Sequence, residues 1–236
     1  MGVQILEGYG LTESSPVIAV NEESKMKFGA VGPPMYRGGV EVKIAEDSEI
    51  LTRGPHIMSG YYKNPEATRE VIDEQGWLHT GDVGFLDEDG YLTITDRKKN
   101  ILVTCGGKNV APALLENTLV SSPLIEQVLI IGDNRKFLMA LIVPNKDLIE
   151  TYAAKHQINF ESYKQLLSDS EITQLVGKEI DRLQDQFARF EQIRAFRLLD
   201  RPLTIQDGEL TPTLKIKRKI VEGKYADLIE EMYQEN

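Results

Sequence analysis

The sequence predicts an α+β fold in which a small, mostly β subdomain precedes a compact α+β domain with a mixed sheet and packed helices. Residues 1–95 contain short apolar runs separated by glycine- and proline-rich turns, which is typical of antiparallel strands. After Asp96 the apolar residues recur at helical spacing between further short strands. The charged stretch 96–100 between them predicts either a hinge or a hairpin arm with a solvated face.

In the first part, glycine turns bound each apolar run, and Asn64-Pro65-Glu66 begins a short helix because proline is tolerated in a first helical turn. That helix is expected to end near Ile72. The predicted strands are Val3–Leu6, Val40–Ile44, Glu49–Arg53, Val83–Leu86 and Tyr91–Thr95.

In the second part, a helix over 169–190 is the strongest prediction, because its apolar residues recur every three or four positions and mark one buried face. The other predicted helices cover 112–119, 146–156 and 216–233. The predicted strands cover 98–104, 125–131, 137–143 and 193–199.

Composition excludes several classes of protein. The formal net charge of −10 argues against nucleic-acid binding, which needs a basic surface. One cysteine cannot form an internal disulfide, so a reducing, cytoplasmic location is expected. No apolar run approaches the roughly 18 residues of a membrane span. The amphipathic last helix leaves peripheral membrane contact open, beside packing on its own domain.

Tyr9-Gly-Leu-Thr-Glu13 places an aromatic face, a hydroxyl and a carboxylate within five residues. A magnesium nucleotide needs those three groups. A turn with a threonine N-cap explains the same residues without a ligand.

Asp82 ends Gly76-Trp-Leu-His-Thr-Gly-Asp82, and its carboxylate could accept two hydrogen bonds from a ribose diol. A tight turn beside a packed Trp77 is the alternative. His79 has no nucleophile paired with it in the sequence.

Two further motifs lie after residue 100. Gly106 and Gly107 could let a narrow ligand pass close to the backbone, or they simply connect a strand to a helix. Cys105 beside them is expected to pack. Lys215 on the loop before the last helix could deliver a positive charge to an anion. A solvated basic patch is the alternative, and it is the expectation for Lys217, Arg218 and Lys219.

The sequence contains six motifs whose identity and order resemble those of the adenylate-forming superfamily. The sequence from Gln75 to Lys99 is most similar to that of long-chain fatty acyl-CoA synthetases. The six motifs are Tyr9-Gly-Leu-Thr-Glu13, Arg53-Gly-Pro55 with Gly60-Tyr-Tyr62, Gly76-Trp-Leu-His-Thr-Gly-Asp82, Asp96-Arg-Lys-Lys99, Gly106-Gly-Lys-Asn-Val-Ala-Pro112 and Thr211-Pro-Thr-Leu-Lys215. The resemblance implies that residues 1–95 end a large N-terminal domain, 96–99 form a hinge, and 100–236 form a mobile C-terminal domain.

In the first part, the resemblance implies that Tyr9 stacks on adenine and Thr12 holds a phosphate oxygen. It makes Glu13 a magnesium ligand. Asp82 would bind the ribose hydroxyls, assisted by Arg97.

In the second part, the resemblance makes Asp96 the hinge residue. Lys215 would support adenylation. Gly106 and Gly107 would line the pantetheine passage during thioester formation.

The implied reaction couples a fatty acid to AMP from ATP with Mg²⁺, and then transfers the acyl group to CoA. Family members carry a phosphate loop rich in serine, threonine and glycine and an acyl pocket, both before the first motif, whereas this sequence begins eight residues before Tyr9. We therefore expect this chain to be inactive alone and to need an N-terminal portion as partner. The alternatives are an adenylation domain that uses a carrier protein as acceptor, and a non-catalytic partner-binding module.

Overall fold

The computed structural model describes residues 4–235, and the chain divides into two units, Met1–Ile101 and Leu102–Asn236. In the described part, the first unit has six strands and one helix. They are β1 (Gly8–Gly10), β2 (Val17–Val20), β3 (Glu41–Ile44), β4 (Glu49–Arg53), α1 (Pro65–Val71), β5 (Leu78–Leu86) and β6 (Leu92–Arg97).

Strands β3 to β6 form an antiparallel meander in chain order, and β1 pairs with β2 in a separate hairpin. Ala19 of β2, Ile50 of β4 and Leu92 of β6 form a buried apolar cluster that the hairpin and the meander share. Helix α1 begins where proline predicts it, because the side chain of Asn64 accepts a hydrogen bond from the backbone N–H of Ala67.

The second unit contains a three-stranded sheet between two layers of helices. Its elements are β7 (Leu102–Val103), β8 (Asn109–Val110), α2 (Pro112–Val120), β9 (Ile125–Ile131), β10 (Leu138–Pro144), α3 (Lys146–His156), α4 (Tyr163–Leu167), α5 (Ser170–Gln184), β11 (Ile193–Leu198), α6 (Arg218–Lys224) and α7 (Ala226–Glu235). Strand β10 is central, antiparallel to β9 and parallel to β11, so the sheet is mixed.

The side chains of β10 alternate between two cores, because successive residues of a strand point to opposite faces of its sheet. Leu138, Ala140 and Ile142 join the core that α2 to α5 cover. Met139, Leu141 and Val143 join the core that α6 and α7 cover. The whole strand is buried, which explains its unbroken apolar sequence. These observations confirm the predicted α+β class with a mixed sheet.

Three predictions for the first unit differ from the structure. Val3 lies outside the described residues, and residues 4–7 are not in a strand, which begins at Gly8. Strand β5 begins at Leu78, earlier than predicted, because β4 pairs with it from Thr52 opposite Leu78. Asp96 and Arg97 extend β6, so the predicted hinge stretch begins inside a strand.

Three further predictions, for residues 98 onward, were wrong. Residues 98–104 form only the two-residue β7, after a short 3₁₀ turn at Lys98–Asn100. The long helix ends at Gln184. The side-chain amide of Gln184 donates to the carbonyl of Ile193 and accepts from its N–H, so it holds the end of this helix against β11. The last helix is divided into α6 and α7 at Tyr225, whose backbone leaves helical geometry.

In the described part of the chain, no helix is long and apolar enough to cross a membrane.

Candidate active site

Asp82 is the buried acid at the centre of the candidate site in the first unit. It lies in β5 directly opposite Arg97 of β6, and opposed residues of an antiparallel pair project to the same face. Only 3% of Asp82 is exposed. Its Oδ1 lies 2.6 Å from Nε of Arg97, and its Oδ2 accepts a 2.7 Å hydrogen bond from the Tyr9 hydroxyl. The buried carboxylate is therefore paired with a cation and with a phenol.

The hydroxyl of Tyr9 remains protonated at neutral pH. Burial raises the pKa of Tyr9 well above its usual range, and the negative charge of Asp82 raises it further. Because a protonated phenol donates a hydrogen bond, Tyr9 limits the orientations that the carboxylate of Asp82 can adopt.

Thr80 fixes the position of the Asp82 backbone. Its hydroxyl donates to the carbonyl of Ile50 at 2.7 Å and accepts from the N–H of Asp82 at 3.1 Å. The β5–β6 register shifts just after Asp82, between Val83 and Gly84. Such irregularities re-aim side chains next to functional sites.

Thr12 and Glu13 lie in the turn between β1 and β2. The turn begins close to Gly10, where a Cβ would meet the carbonyl oxygen of Pro16 at 1.6 Å, so only glycine fits. Glu13 accepts a 2.9 Å hydrogen bond from the hydroxyl of Tyr61, and its carbonyl accepts from the N–H of Met58 at 2.9 Å. The Glu13 carboxylate is thus held in place, while Thr12 is exposed.

A cavity of about 400 Å³ lies beside the turn between β1 and β2, and it reaches Arg97, the partner of Asp82, whereas Tyr9 and Asp82 do not line it. Thr12, Glu13 and Arg97 line it, together with Tyr61, His79 and Thr80. The first unit therefore brings together the polar groups predicted at residues 9–13, 82 and 97. No local sequence pattern predicts that the hydroxyl of Tyr61 donates to Glu13.

The oxygen groups of Thr12 and Glu13 suit a magnesium ion that arrives with phosphates. Mg²⁺ is commonly held by one or two carboxylates, substrate phosphates and water. Among residues 4–235 there is no group of three His, Cys, Asp or Glu side chains that could hold a metal unaided. The residues present therefore fit a nucleotide-borne ion and not a dedicated metal site.

Glu49 is a second buried carboxylate, and no sequence motif distinguishes it from the other acids. It accepts hydrogen bonds from Gly81 N at 3.0 Å, His79 Nδ1 at 3.1 Å and Lys98 Nζ at 2.8 Å. Burial favours its neutral form, but these three donors more than offset burial and lower the pKa of Glu49. Lys98 also reaches Asp47 at 2.7 Å.

Asp96, the predicted hinge residue, is buried at the end of β6. Its Oδ1 accepts from its neighbour Arg97 N at 2.6 Å and from Asn100 Nδ2 at 3.0 Å. Both bonds stay within residues 96–100, whereas the side chains of Arg97 and Lys98 pair with Asp82 and Glu49. The hinge role of Asp96 stays a prediction.

Gly106 and Gly107 form the exposed turn between β7 and β8. Gly107 has φ 72°, and its N–H donates to the carbonyl of Thr104 at 2.8 Å. No atom lies within 4 Å of a Cβ built on Gly107, so its backbone angle, and not crowding, requires glycine here. Cys105 is exposed and not packed as expected.

Lys215 stands near the end of a hairpin, residues 210–216, which we call the Lys215 hairpin. A bridge joins Leu210 to Ile216. Thr211 N donates to the carbonyl of Lys215 at 2.8 Å, and Lys215 N donates to the hydroxyl of Thr211 at 3.0 Å. Leu214 completes the turn in the left-handed region at φ 61°. Because Ile216 packs against the core, its neighbour Lys215 faces outward and is exposed.

The basic residues after Lys215 do not all lie in a solvated patch. Lys217 and Lys219 are exposed. Arg218 instead donates to the carbonyl of Ile130 and lies 2.7 Å from a carboxylate oxygen of Glu116. Arg218 therefore holds α6 against α2 and β9, since its partners belong to those elements.

Residues 99–236 match the family model described as the AMP-binding enzyme C-terminal domain, and residues 1–62 match that of the AMP-binding enzyme. The chain therefore belongs to the AMP-binding enzymes, the superfamily that its six ordered motifs resemble.

The curated relatives that this chain matches include ligases. The chain is 42% identical over 233 residues to long-chain-fatty-acid–CoA ligase FadD15 of Mycobacterium tuberculosis, which covers 98% of this chain and 38% of that protein. It is 34% identical to the long-chain-fatty-acid–[acyl-carrier-protein] ligase AEE15, chloroplastic, of Arabidopsis thaliana, over 99% of this chain and 33% of that protein.

Among solved structures, the A-PCP didomain of carboxylic acid reductase from Segniliparus rugosus in complex with AMP superposes with a TM-score of 0.70. It is 28% identical and covers 98% of this chain and 31% of that chain. The chain thus spans roughly a third of the length of the proteins it matches.

Proposed function

We propose that this chain is the C-terminal part of an AMP-forming fatty acid–CoA ligase. The parent enzyme joins a fatty acid carboxylate to AMP with release of pyrophosphate and then transfers the acyl group to the thiol of CoA. The buried Asp82 carries the proposal, because it is held between Tyr9 and Arg97, and Arg97 links it to a cavity that Thr12 and Glu13 also line.

Asp82 can accept the ribose hydroxyls without giving up its present partners. An ionised carboxylate offers about four lone-pair sites. Tyr9 and Arg97 account for one hydrogen bond or ion pair on each oxygen, so acceptor capacity is left for a diol. The side chain of Arg97 is half exposed and could reach a ligand oxygen while it remains paired.

In the proposed reaction, carboxylate and triphosphate are both anions, so positive charge is needed at the α-phosphate. Thr12 and Glu13 would hold a magnesium ion, which supplies Lewis-acid polarisation of phosphate oxygens when bound. Lys215 would add a mobile ammonium group from the second unit. Gly107 would give a pantetheine arm close access to the backbone, because it has no side chain.

We further propose that residues 1–236 alone do not turn over substrate. No phosphate loop rich in serine, threonine and glycine occurs in this sequence. The acyl pocket and that loop would be supplied by the part of the relatives that this chain does not match.

ATP–pyrophosphate exchange with Mg²⁺ and a panel of fatty acids tests the proposal. The chain would be assayed alone and fused behind the N-terminal part of the M. tuberculosis relative. We expect exchange only in the fusion, and Lys215→Ala should lower it about 10²-fold, as expected for the loss of a charge that stabilises a transition state. Lys219→Ala, which removes a nearby exposed lysine, is the matched control. Exchange by the isolated chain, or by the Lys215→Ala fusion at the wild-type rate, would contradict the proposal.

A carrier protein is a second candidate acceptor, because the Arabidopsis relative is described as an acyl-carrier-protein ligase. The same fusion, supplied with CoA or with a phosphopantetheinylated carrier protein, would separate the two. Faster thioester formation with CoA supports the ligase proposed here, and faster transfer to the carrier protein would replace it.

A further inference from the structure

Glu209 is the fully buried carboxylate at the base of the Lys215 hairpin. Both nitrogens NH1 and NH2 of Arg201 donate to it, at 3.0 and 2.6 Å. The N–H of Thr204 donates at 3.0 Å, and Nζ of Lys224 lies 3.2 Å away. Four groups from three separate positions therefore converge on one side chain, which no motif in the sequence singles out.

The backbone of Glu209 closes the same hairpin. Its N–H donates to the carbonyl of Thr204 at 3.0 Å, and its carbonyl accepts from Lys217 N at 2.7 Å. Lys217 comes two residues after Lys215, so Glu209 holds the strand that leaves the hairpin as well as the strand that enters it. Leu210 and Ile216 pack against the core just above.

An apolar anchor alone would hold this hairpin without fixing its orientation. Contacts of Leu210 and Ile216 with the core are non-directional, whereas charge-assisted hydrogen bonds have defined lengths and angles. Burying a carboxylate is costly unless every acceptor is satisfied, and here several donors satisfy it. Stability alone does not explain a buried carboxylate here, because an apolar side chain would pack at the same place without the desolvation penalty of a charge.

We propose that Glu209 is a positioning residue for Lys215: it fixes the base of the Lys215 hairpin so that the ammonium group is presented in one direction. This inference rests on one part of the proposed function, the role of Lys215 in adenylation. The loss of Glu209 should therefore impair adenylation, and it should spare the later thioester step, which does not use Lys215.

Amide hydrogen exchange on this chain tests the structural half of the proposal. In Glu209→Gln we expect the amide of Lys215, which is bonded to Thr211, to exchange at least about 10-fold faster, and amides of β9 and β10, which report global stability, to change less. Glu179→Gln is the matched control, because Glu179 is another ion-paired carboxylate of the second unit, bound to Arg182 on α5. Unchanged Lys215 exchange in Glu209→Gln, or an equal change in Glu179→Gln, would overturn the proposal.

A second pair of variants leaves the buried acid intact. Lys217→Pro removes the N–H that donates to Glu209, at a position whose φ of −83° is close to that of proline. Lys217→Ala removes the same side chain and keeps that N–H. We expect faster Lys215 exchange in the proline variant only. The same exchange rate in both variants would contradict the role of this hydrogen bond.

The activity half uses the fusion described above. Glu209→Gln should lower ATP–pyrophosphate exchange by up to about 10²-fold, the loss typical of a catalytic group displaced by about 1 Å. Thioester formation from a supplied acyl-adenylate should change less than about threefold, a ratio that a general loss of folding would not produce. An equal loss in both steps would overturn the positioning role. No exchange in the unmodified fusion would instead refute the proposed function, and the amide data would still decide whether Glu209 orders the hairpin.

Discussion

Asp82, Glu49 and Glu209 are carboxylates that the fold buries, and hydrogen-bond donors surround each of them. Removal of one partner from such a group leaves a charge without compensation. Single substitutions at the partners should therefore have larger effects than their surface exposure suggests.

Arg97→Met should destabilise the first unit by about 1–2 kcal/mol at pH 7. Loss of a partner from a buried pair typically costs more, but the Arg97 side chain is 53% exposed and water screens it. The double variant Asp82→Asn with Arg97→Met should recover much of the loss, because no charge is then left unpaired. Urea unfolding followed by the fluorescence of Trp77 would measure both. Additive losses in the double variant would argue against the coupling.

Glu209 should make the second unit sensitive to acid. Arg201 is the largest cause that lowers the pKa of Glu209, to about 2 from its usual 4.5. Because the folded pKa is lower than the unfolded pKa, this stabilisation is present above pH 4.5 and is lost as the pH falls towards 2. Because the side chains of Arg201 and Lys224 are 42% and 39% exposed, water screens both ion pairs, and the loss should be about 1 kcal/mol.

Urea unfolding of the wild type and of Glu209→Gln between pH 6 and pH 3 would detect this effect. The wild type should lose stability faster than the variant over that range. Glu231→Gln, at an exposed position of α7, is the control and should follow the wild type. Parallel curves for the wild type and Glu209→Gln would contradict the linkage.

At the scale of elements, local signals predicted most starts correctly. Proline begins α1 and α2, and Asn145 caps α3 through the N–H of Leu148. Apolar runs located β9 and β10 to within one residue, although Glu126 and Gln127 interrupt that of β9. These signals succeed because caps and strand periodicity act within a few residues along the chain.

The ends of several helices and strands were predicted wrongly, because contacts with residues distant in sequence determine where those elements end. The pattern of α5 continues past Gln184, yet the amide of Gln184 turns the chain by bonding Ile193. Strand β6 runs on through Asp96 and Arg97, past the end predicted at Thr95, since β5 pairs with both. Neither partner is visible in the local sequence.

Gln184→Leu should destabilise the second unit by about 2–3 kcal/mol, because it leaves the N–H and carbonyl of Ile193 without these partners. Far-ultraviolet circular dichroism during urea unfolding would measure the change. Gln186→Leu, at an exposed position two residues later, should stay within about 0.5 kcal/mol of the wild type. Equal effects of the two substitutions would show that the buried amide adds nothing.

At the scale of the whole molecule, each unit has apolar clusters of its own. Ala19, Ile50 and Leu92 form one cluster in the first unit, and the sheet of the second unit separates two others. Chains with separate cores commonly unfold in more than one step.

Trp77 should report on the first unit alone. It is the only tryptophan of the chain and is buried there, with Lys43 and Arg53 over its ring. Gln184→Leu should therefore shift the unfolding midpoint seen by circular dichroism and leave the Trp77 fluorescence midpoint within error. A matching shift in both signals would mean that the two units unfold together.

The sequence by itself determined the α+β class, the order of most elements and membership of the AMP-binding enzymes, because periodicity, caps and ordered motifs are properties of neighbouring residues. Only the tertiary structure decided that Tyr9 and Arg97 meet on Asp82, that Tyr61 holds Glu13 and that Arg201 meets Glu209 below Lys215. Tyr9, Arg97 and Tyr61 lie far along the chain from the acids they contact, so strand register and turn geometry bring them together. Arg201 lies only eight residues from Glu209. The local sequence nevertheless predicts neither the burial of Glu209 nor its hydrogen bonds with Arg201.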